Sequence, residues 1–322
     1  MTIRTLLLTA LAMLAFAGNS LLCRAALRDS QIDPASFTVL RLFAGAVVLW
    51  LLMCLRKRPS LASGSWLGAL ALFVYAVSFS YAYLNLDAGA GALLLFGAVQ
   101  LSMIAWGTLQ GERLHWGQAA GMLLAGAGLV ALLLPGTSTP PVSASLLMVL
   151  AGAAWGAYSL LGKGTPDSLA ATAGNFIRTL PIAILLCLLT LSDLEWDSAG
   201  MIYALLSGGL TSGIGYAIWY AALPGLGAIQ AASVQLSVPL LTALAGSLLL
   251  GEPLTGTLLV AGLALLLLNG GRTVRDGFNR WPANIETRLN HYQATLLDIA
   301  RYYEEDPSDG PVIVDAFYEP ID

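Results

Sequence analysis

Apolar residues dominate the chain in long runs, and short clusters of charged residues, proline and glycine separate these runs. Each run has about the 20 residues that a helix needs to cross a membrane. Helices are expected because lipid offers the backbone no hydrogen-bond partners, and the runs are too long for the strands of an outer-membrane barrel. The pattern predicts ten spans, at residues 3–22, 35–55, 65–84, 88–109, 116–134, 143–162, 170–190, 199–222, 227–250 and 254–271.

The composition agrees with a membrane protein. Of the 322 residues, 57% are hydrophobic and 11% are charged, whereas soluble domains carry roughly 25% charged residues. The charges are also uneven: the chain has 10 Lys/Arg and 9 Asp/Glu through Gly271, but 5 and 10 from Arg272 onward. No basic run indicates nucleic acid as a partner. These numbers exclude an ordinary cytosolic enzyme and set apart an acidic tail at 277–322.

The placement of Lys and Arg predicts the orientation, because basic residues concentrate on the cytoplasmic side. With the N-terminus inside, nine basic residues lie in cytoplasmic segments and two, Arg24 and Arg28, lie in external loops. The nine are Arg4, Arg56, Lys57, Arg58, Arg113, Lys163, Arg272, Arg275 and Arg280. We therefore expect a multi-pass protein of the cell inner membrane with both termini in the cytoplasm and the lipid bilayer as its surroundings.

The two halves of the chain resemble each other at three places with an offset of 137 to 140 residues. The matching pairs are 19–24 with 158–163, Arg41 with Arg178, and Gly-Glu-Arg-Leu at 111–114 with Gly-Glu-Pro-Leu at 251–254. Five spans is an odd number, so the second repeat enters the membrane upside down. Inverted repeats of this kind are the architecture of many secondary transporters.

The predicted fold is an all-α integral membrane protein. Ten transmembrane helices form two inverted five-helix repeats, at 1–136 and 137–276, around a central cavity. A small-molecule substrate is expected there, bound by polar and aromatic residues within the spans. The candidates for substrate binding are Asn19, Ser20, Tyr75, Ser78, Phe79, Gln100, Trp155, Tyr158, Ser159, Ser212, Tyr216, Trp219 and Gln235.

Two arginines lie well inside predicted spans, Arg41 and Arg178. Each is a candidate for binding a substrate carboxylate with both arms of its guanidinium. The alternatives are that each reaches the membrane interface or binds backbone carbonyls. For Glu252, at the start of the tenth predicted span, we prefer a structural role at the helix dipole.

A transporter of this kind has to bend some of its helices, and bends concentrate at glycine and proline. We therefore predict that the third, fourth, eighth and ninth spans move. The predicted hinge residues are Gly97, Gly208, Gly213 and Pro239.

The segment 19–27, Arg41 and the two Gly-Glu-x-Leu motifs at 111–114 and 251–254 resemble the drug/metabolite transporter superfamily. More narrowly, they resemble its EamA type and the YddG-like amino-acid exporters. This resemblance implies a ten-helix basket that exports aromatic and other neutral amino acids. Two alternatives stay open: export of other metabolites or drugs, and a membrane scaffold that acts through its tail. The tail is either a cytoplasmic helix or a sequence added for expression.

Several chemistries lack their residues in this sequence. No Asp or Glu lies in the middle of a span, and both histidines, His115 and His291, lie outside the spans. A serine hydrolase and a metal site are therefore not expected, nor is an enzyme or a cofactor. Related small multidrug exporters use a buried glutamate for proton coupling, so the simpler expectation is a facilitator. The sequence leaves the oligomeric state open.

Overall fold

The computed structural model describes residues 2–56, 63–109, 141–162, 165, 167–222, 225–226, 234–235, 237–254 and 256. Every regular element in these ranges is helical. The helices are α1 (Ile3–Asp29), α2 (Pro34–Leu55), α3 (Trp66–Tyr83), α4 (Ala88–Leu109), α5 (Val142–Gly162), α6 (Ser168–Leu189), α7 (Ser198–Leu206), the π-helix π1 (Ser207–Ile214), α8 (Gly215–Ala222) and α9 (Ser237–Leu250). A single 3₁₀ turn, Leu191–Asp193, follows α6.

Six helices in the described ranges are long and apolar enough to cross a membrane. They are α1, α2, α3, α5, α6 and the continuous segment Ser198–Ala222, which comprises α7, π1 and α8. The fifth predicted span, nearly all of the tenth, the motif at 111–114 and the tail at 277–322 lie outside the described residues. The all-helical membrane fold is thus confirmed, while the number of ten spans stays a prediction.

Polar side chains fix the starts of the helices. Asp33 accepts hydrogen bonds from the amides of Ala35 and Ser36 at 2.8 and 2.9 Å, and Pro34 occupies the first turn of α2, where a missing amide proton costs nothing. Asp167 and Asp197 cap α6 and α7 in the same way. The aspartates that separate apolar runs in the sequence therefore also define where the helices begin.

The two halves of the chain exchange their first helices. Helix α5, the first of the second half, packs against α3 and α4 of the first half. Helix α1 packs in turn against π1, α8 and α9 of the second half. This reciprocal packing is the arrangement expected of two related repeats, and it places the faces of α1 and α5 between the halves.

Helix α1 corrects one predicted boundary. We expected the first span to end near residue 22 and Arg24 and Arg28 to lie in a loop, but α1 continues to Asp29. Arg24 can lie within the helix because Glu252 and Asp87 neutralise its guanidinium, at 3.1 and 3.4 Å. Both arginines thus belong to the last two turns of α1.

The eighth predicted span is not a regular α-helix. Ser207–Ile214 form a π-helix between α7 and α8. Such stretches are rare and are found where side chains compete for the backbone ladder or where the chain needs an irregular turn. Here the hydroxyl of Thr211 donates to the carbonyl of Ser207 at 2.8 Å, within the glycine-rich stretch. The hydrophobic pattern predicted the span, and two of the predicted hinge residues, Gly208 and Gly213, lie in its irregular part.

Candidate functional site

Asn19 lies at the centre of the described helices and connects three of them. Its Nδ2 donates to the hydroxyl of Tyr75 on α3 at 3.2 Å. Its Oδ1 accepts from the hydroxyls of Ser207 and Thr211 on π1, at 2.7 and 3.3 Å. An amide in an apolar interior has to be satisfied in this way. The network joins α1 directly to the irregular part of the eighth predicted span.

Aromatic rings surround this network, and Trp155 of α5 lies in their middle. Its ring centroid is 4.9 Å from that of Tyr75, 5.1 Å from Tyr216 and 6.4 Å from Phe16. These distances and the tilted or edge-on angles are those that aromatic pairs prefer. The rings come from α1, α3, α5 and α8, so both halves of the chain contribute to one cluster.

A cavity lies between these rings. Its free space, about 20 Å³ for the centre of a water molecule, is room for about one water. The cavity has to widen before it holds a molecule of amino-acid size. It is lined by Phe16, Asn19, Ser20, Tyr75, Phe79, Leu95, Phe96, Trp155 and Tyr216.

Six of the predicted substrate-binding residues line this cavity: Asn19, Ser20, Tyr75, Phe79, Trp155 and Tyr216. Two others form a second row, because Trp219 packs on Phe16 at 5.9 Å and Tyr158 packs on Trp155 at 5.5 Å. The remaining five do not line it: Ser78, Gln100, Ser159, Ser212 and Gln235. A substrate role for these five stays a prediction.

These five residues have other surroundings. The hydroxyl of Ser159 donates to the carbonyl of Trp155 at 2.8 Å, and Ser78 is buried on α3. Ser212 is buried on π1, and its hydroxyl has no hydrogen-bond partner among the described residues. Gln100 and Gln235 are half-buried, and both interact with other groups.

The cavity also contains residues that the sequence analysis missed. Phe16 precedes Asn19 and Ser20 by three and four positions, so the helical period alone would have placed it on the same face. Phe96 precedes Gln100 by four positions on α4, so the same period would have placed it beside a predicted site residue, whereas Leu95 lies in an apolar run with no such signal. The sequence therefore contained a signal for Phe16 and Phe96 and none for Leu95.

The two arginines differ in their partners. Nη1 of Arg178 donates to the carbonyls of Ser63 and Gly174, at 2.6 and 3.0 Å. Arg41 is 2% exposed, and its guanidinium lies over the rings of Tyr75 and Phe79, at 5.2 and 4.9 Å from their centroids. Arg178 thus binds backbone carbonyls, which was one of the alternatives that the sequence left open.

The predicted hinge glycines lie in tight surroundings. A Cβ on Gly208 would overlap the backbone carbonyl of Arg41 and lie 2.9 Å from Cβ of Ala44, so this glycine lets π1 approach α2. A Cβ on Gly213 would meet the side chain of Val48 and the carbonyl of Gly208, at 3.1 and 3.3 Å. Close packing accounts for glycine at 208. Gly97 and Pro239 are buried in α4 and α9.

A polar network closes the predicted outer end of the bundle, which comprises segments 30–33, 84–87, 190–197 and 250–252. Arg24 donates to Glu252 at 3.1 Å and to the carbonyls of Tyr83 and Leu84 at 2.9 and 3.1 Å. Glu252 also accepts from the amide of Ala88 at 2.8 Å. Glu252 thus has a structural role, because it caps the first turn of α4.

Glu252 is buried in this network, and burial raises the pKa of its carboxyl above the ordinary value of 4.5. The amide of Ala88 and the guanidinium of Arg24 oppose that rise without cancelling it.

The described residues contain no group of three or more His, Cys, Asp or Glu side chains that would hold a metal ion.

Comparison with known proteins identifies the chain at the level of a family. The model of the EamA-like transporter family matches it twice, at residues 3–134 and 142–268. The Uncharacterized protein PA1977 of Pseudomonas aeruginosa is 61% identical over 282 residues, which cover 85% of this chain and 98% of that protein. A solved crystal structure, described only as that of a protein, superposes with a TM-score of 0.61 and 19% identity over 82% of this chain and 96% of that one.

Proposed function

Because the chain belongs to the EamA-like transporter family, we propose that it exports small neutral metabolites, in particular aromatic and other neutral amino acids. The resemblance to YddG-like exporters suggests this substrate class, and the inner membrane is the expected location. The observation that carries the proposal is the aromatic cavity between the two halves of the chain.

The chemistry of the cavity suits such substrates. Its walls are mostly aromatic and aliphatic, while Asn19, Ser20 and the hydroxyls of Tyr75 and Tyr216 supply the few polar groups. Apolar walls with a small number of placed polar groups are typical of small-molecule sites. An aromatic side chain would stack against rings that already stack on one another, which favours it over a charged side chain.

Transport by alternating access requires the two ends to open in turn around this cavity. The predicted outer end is tied by Arg24, Glu252 and Asp87. The predicted inner end is tied where the amide of Ser65 donates to Asn175 at 2.8 Å, beside the bond from Arg178 to Ser63. We propose that these ties break alternately, while the cavity widens around the substrate.

Transport by reconstituted protein tests the proposal. Purified protein in lipid vesicles preloaded with unlabelled phenylalanine should accumulate labelled phenylalanine by counterflow, and tryptophan and methionine should compete. A facilitator should give the same exchange with and without a pH gradient. Competition by lysine and glutamate as strong as that by tryptophan would contradict the substrate class, and absence of exchange for every amino acid would contradict the function.

A second arm addresses the alternatives. A panel of non-amino-acid metabolites and drugs in the same vesicles would reveal another substrate of the superfamily. Deleting 277–322 should leave exchange unchanged if the protein is a transporter whose tail is dispensable. Loss of a binding partner without any change in flux would instead favour the scaffold.

A further inference from the structure

Arg41 is a buried cation whose charge has no obvious reason to be there. It lies about two turns into α2 and is the largest fully buried side chain in the described part of the protein. Removing a guanidinium from water is energetically costly unless an anion or hydrogen bonds compensate. Arginine is almost never fully buried unless it is paired.

The described partners of Arg41 compensate only part of this cost. Nε and Nη1 have no hydrogen-bond partner among the described residues. The salt bridges in the same part of the chain are made by Arg24 and Arg28 rather than by Arg41. The guanidinium lies over the rings of Tyr75 and Phe79, and cation–π attraction stabilises part of its charge. These contacts leave the Nε and Nη1 donors without an acceptor among the described residues.

These unused donors lie next to the cavity. Tyr75 and Phe79, the two rings that contact Arg41, are part of the cavity wall, beside Asn19 and Ser20. None of the residues that line the cavity is charged. The cavity has to widen to admit a substrate, and displacement of either ring would open the guanidinium to it. One cation beside an uncharged aromatic cavity is complementary to a largely apolar molecule that carries one negative charge.

We infer that Arg41 binds the carboxylate of the substrate, and that this carboxylate is required for recognition. The inference rests on the proposed function and deepens it: the aromatic cluster selects the side chain, while the guanidinium fork holds the two carboxylate oxygens. A single cation favours the singly charged carboxylate over a doubly charged phosphate. The substrate class is therefore aromatic and related apolar carboxylates, amino acids among them.

Substrate analogues test this without any change to the protein. The probes are 3-phenylpropanoate, which lacks the amine of phenylalanine, and phenylalaninamide and phenethylamine, which lack its carboxylate. In the counterflow assay, 3-phenylpropanoate should compete with phenylalanine. The two amines should compete at least roughly tenfold more weakly, as expected for loss of a charge-assisted hydrogen bond. Equal competition by phenylalaninamide and 3-phenylpropanoate would overturn the inference.

Variants of Arg41 provide the second arm. Arg41→Gln should weaken competition by 3-phenylpropanoate roughly 10- to 100-fold. Its unfolding temperature without ligand should be unchanged or higher, because a costly buried charge is removed. Arg41→Lys keeps the charge without the fork and should fall in between, so it decides the matter if Arg41→Gln gives no folded protein. The inference would be overturned if either folded variant still preferred 3-phenylpropanoate over phenylalaninamide as strongly as the wild type. It would also be overturned if Arg41→Gln lost stability but kept that preference.

Arg178→Gln is the matched control, because Arg178 donates to the carbonyls of Ser63 and Gly174. This variant should leave the ratio of competition by 3-phenylpropanoate to competition by phenylalaninamide unchanged, whatever it does to protein yield. Ligand-induced stabilisation separates the two proposals. If no aromatic amino acid is transported, the proposed function fails. A rise in unfolding temperature with 3-phenylpropanoate but not with phenethylamine, lost in Arg41→Gln, would still support the role of Arg41.

Discussion

Gly208 offers a sharp test of how tightly the π-helix π1 packs against α2. An added methyl group would overlap the carbonyl oxygen of Arg41 and lie 2.7 Å from its carbonyl carbon and 2.9 Å from Cβ of Ala44. Backbone atoms cannot rotate away, so the two segments would have to separate. Overpacking of this kind costs about 1–3 kcal/mol. The lower backbone entropy of alanine returns only about 0.5–1 kcal/mol. Because the overlap is with backbone atoms, the cost lies at the upper end of its range, and Gly208→Ala should be destabilising by about 2 kcal/mol.

Gly213→Ala is the matched control in the same π-helix. Its methyl group would lie 3.1 Å from Cγ1 of Val48 and 3.3 Å from the carbonyl oxygen of Gly208, contacts that a shift of a few tenths of an ångström relieves. Unfolding temperatures in detergent, followed by tryptophan fluorescence, should fall by several degrees for Gly208→Ala and stay near wild type for Gly213→Ala. If Gly208→Ala unfolds at the wild-type temperature, or if both variants are equally destabilised, the packing argument is wrong.

The same control variant also tests the predicted hinge. If Gly213 is a hinge, Gly213→Ala should slow counterflow while the apparent affinity for substrate stays near normal, because only the rate of the conformational step changes. Wild-type turnover in folded Gly213→Ala would remove this position from the hinge.

Three further predictions concern the ends of the bundle. Arg24→Gln should lower the free energy of unfolding by about 3 kcal/mol, because it leaves Glu252 buried without its cation. Arg28→Gln should lower it by less than about 1 kcal/mol, because the Arg28–Asp29 pair is exposed. Similar unfolding temperatures for the two variants would contradict this. Since burial raises the folded-state pKa of Glu252 above 4.5, the folded protein binds this proton more tightly than the unfolded chain does. The wild type should therefore gain stability relative to Glu252→Gln as the pH falls from that raised pKa towards 4.5, and a constant difference would refute it. In a cysteine-free background, a cysteine at 193 should react with an impermeant maleimide from outside and one at 63 should not; the reverse would overturn the predicted orientation.

The sequence predicted the helical membrane fold well because lipid imposes one rule on every span, and apolar length reveals it. It failed where specific polar contacts decide the backbone. Helix α1 continues to Asp29 because Glu252, more than 200 residues away, neutralises Arg24. The glycines of the π-helix stand out in the sequence, but the bond from Ser207 to Asn19 joins it to another helix. No local pattern contains that information.

The candidate site follows the same division. Polar and aromatic residues in an apolar run stand out, so Asn19, Tyr75, Trp155 and Tyr216 were identified from the sequence and line the cavity. Leu95 carries no such mark, whereas Phe16 and Phe96 are aromatic and were missed. The difference between Arg41 and Arg178 was equally hidden, because repeat symmetry made them equivalent while tertiary contacts gave carbonyl partners to Arg178 and aromatic rings to Arg41.

Counterflow of labelled phenylalanine by Trp155→Ala, compared with Trp106→Ala, tests most directly that the aromatic cavity is the substrate site of a transporter. Trp155 lies at the centre of the ring cluster, whereas the side chain of Trp106 on α4 is half exposed on the surface. Both changes remove the same atoms, so protein yield and unfolding temperature can be compared directly. We predict that folded Trp155→Ala loses most of its exchange while Trp106→Ala retains it. Wild-type exchange by folded Trp155→Ala would contradict the account.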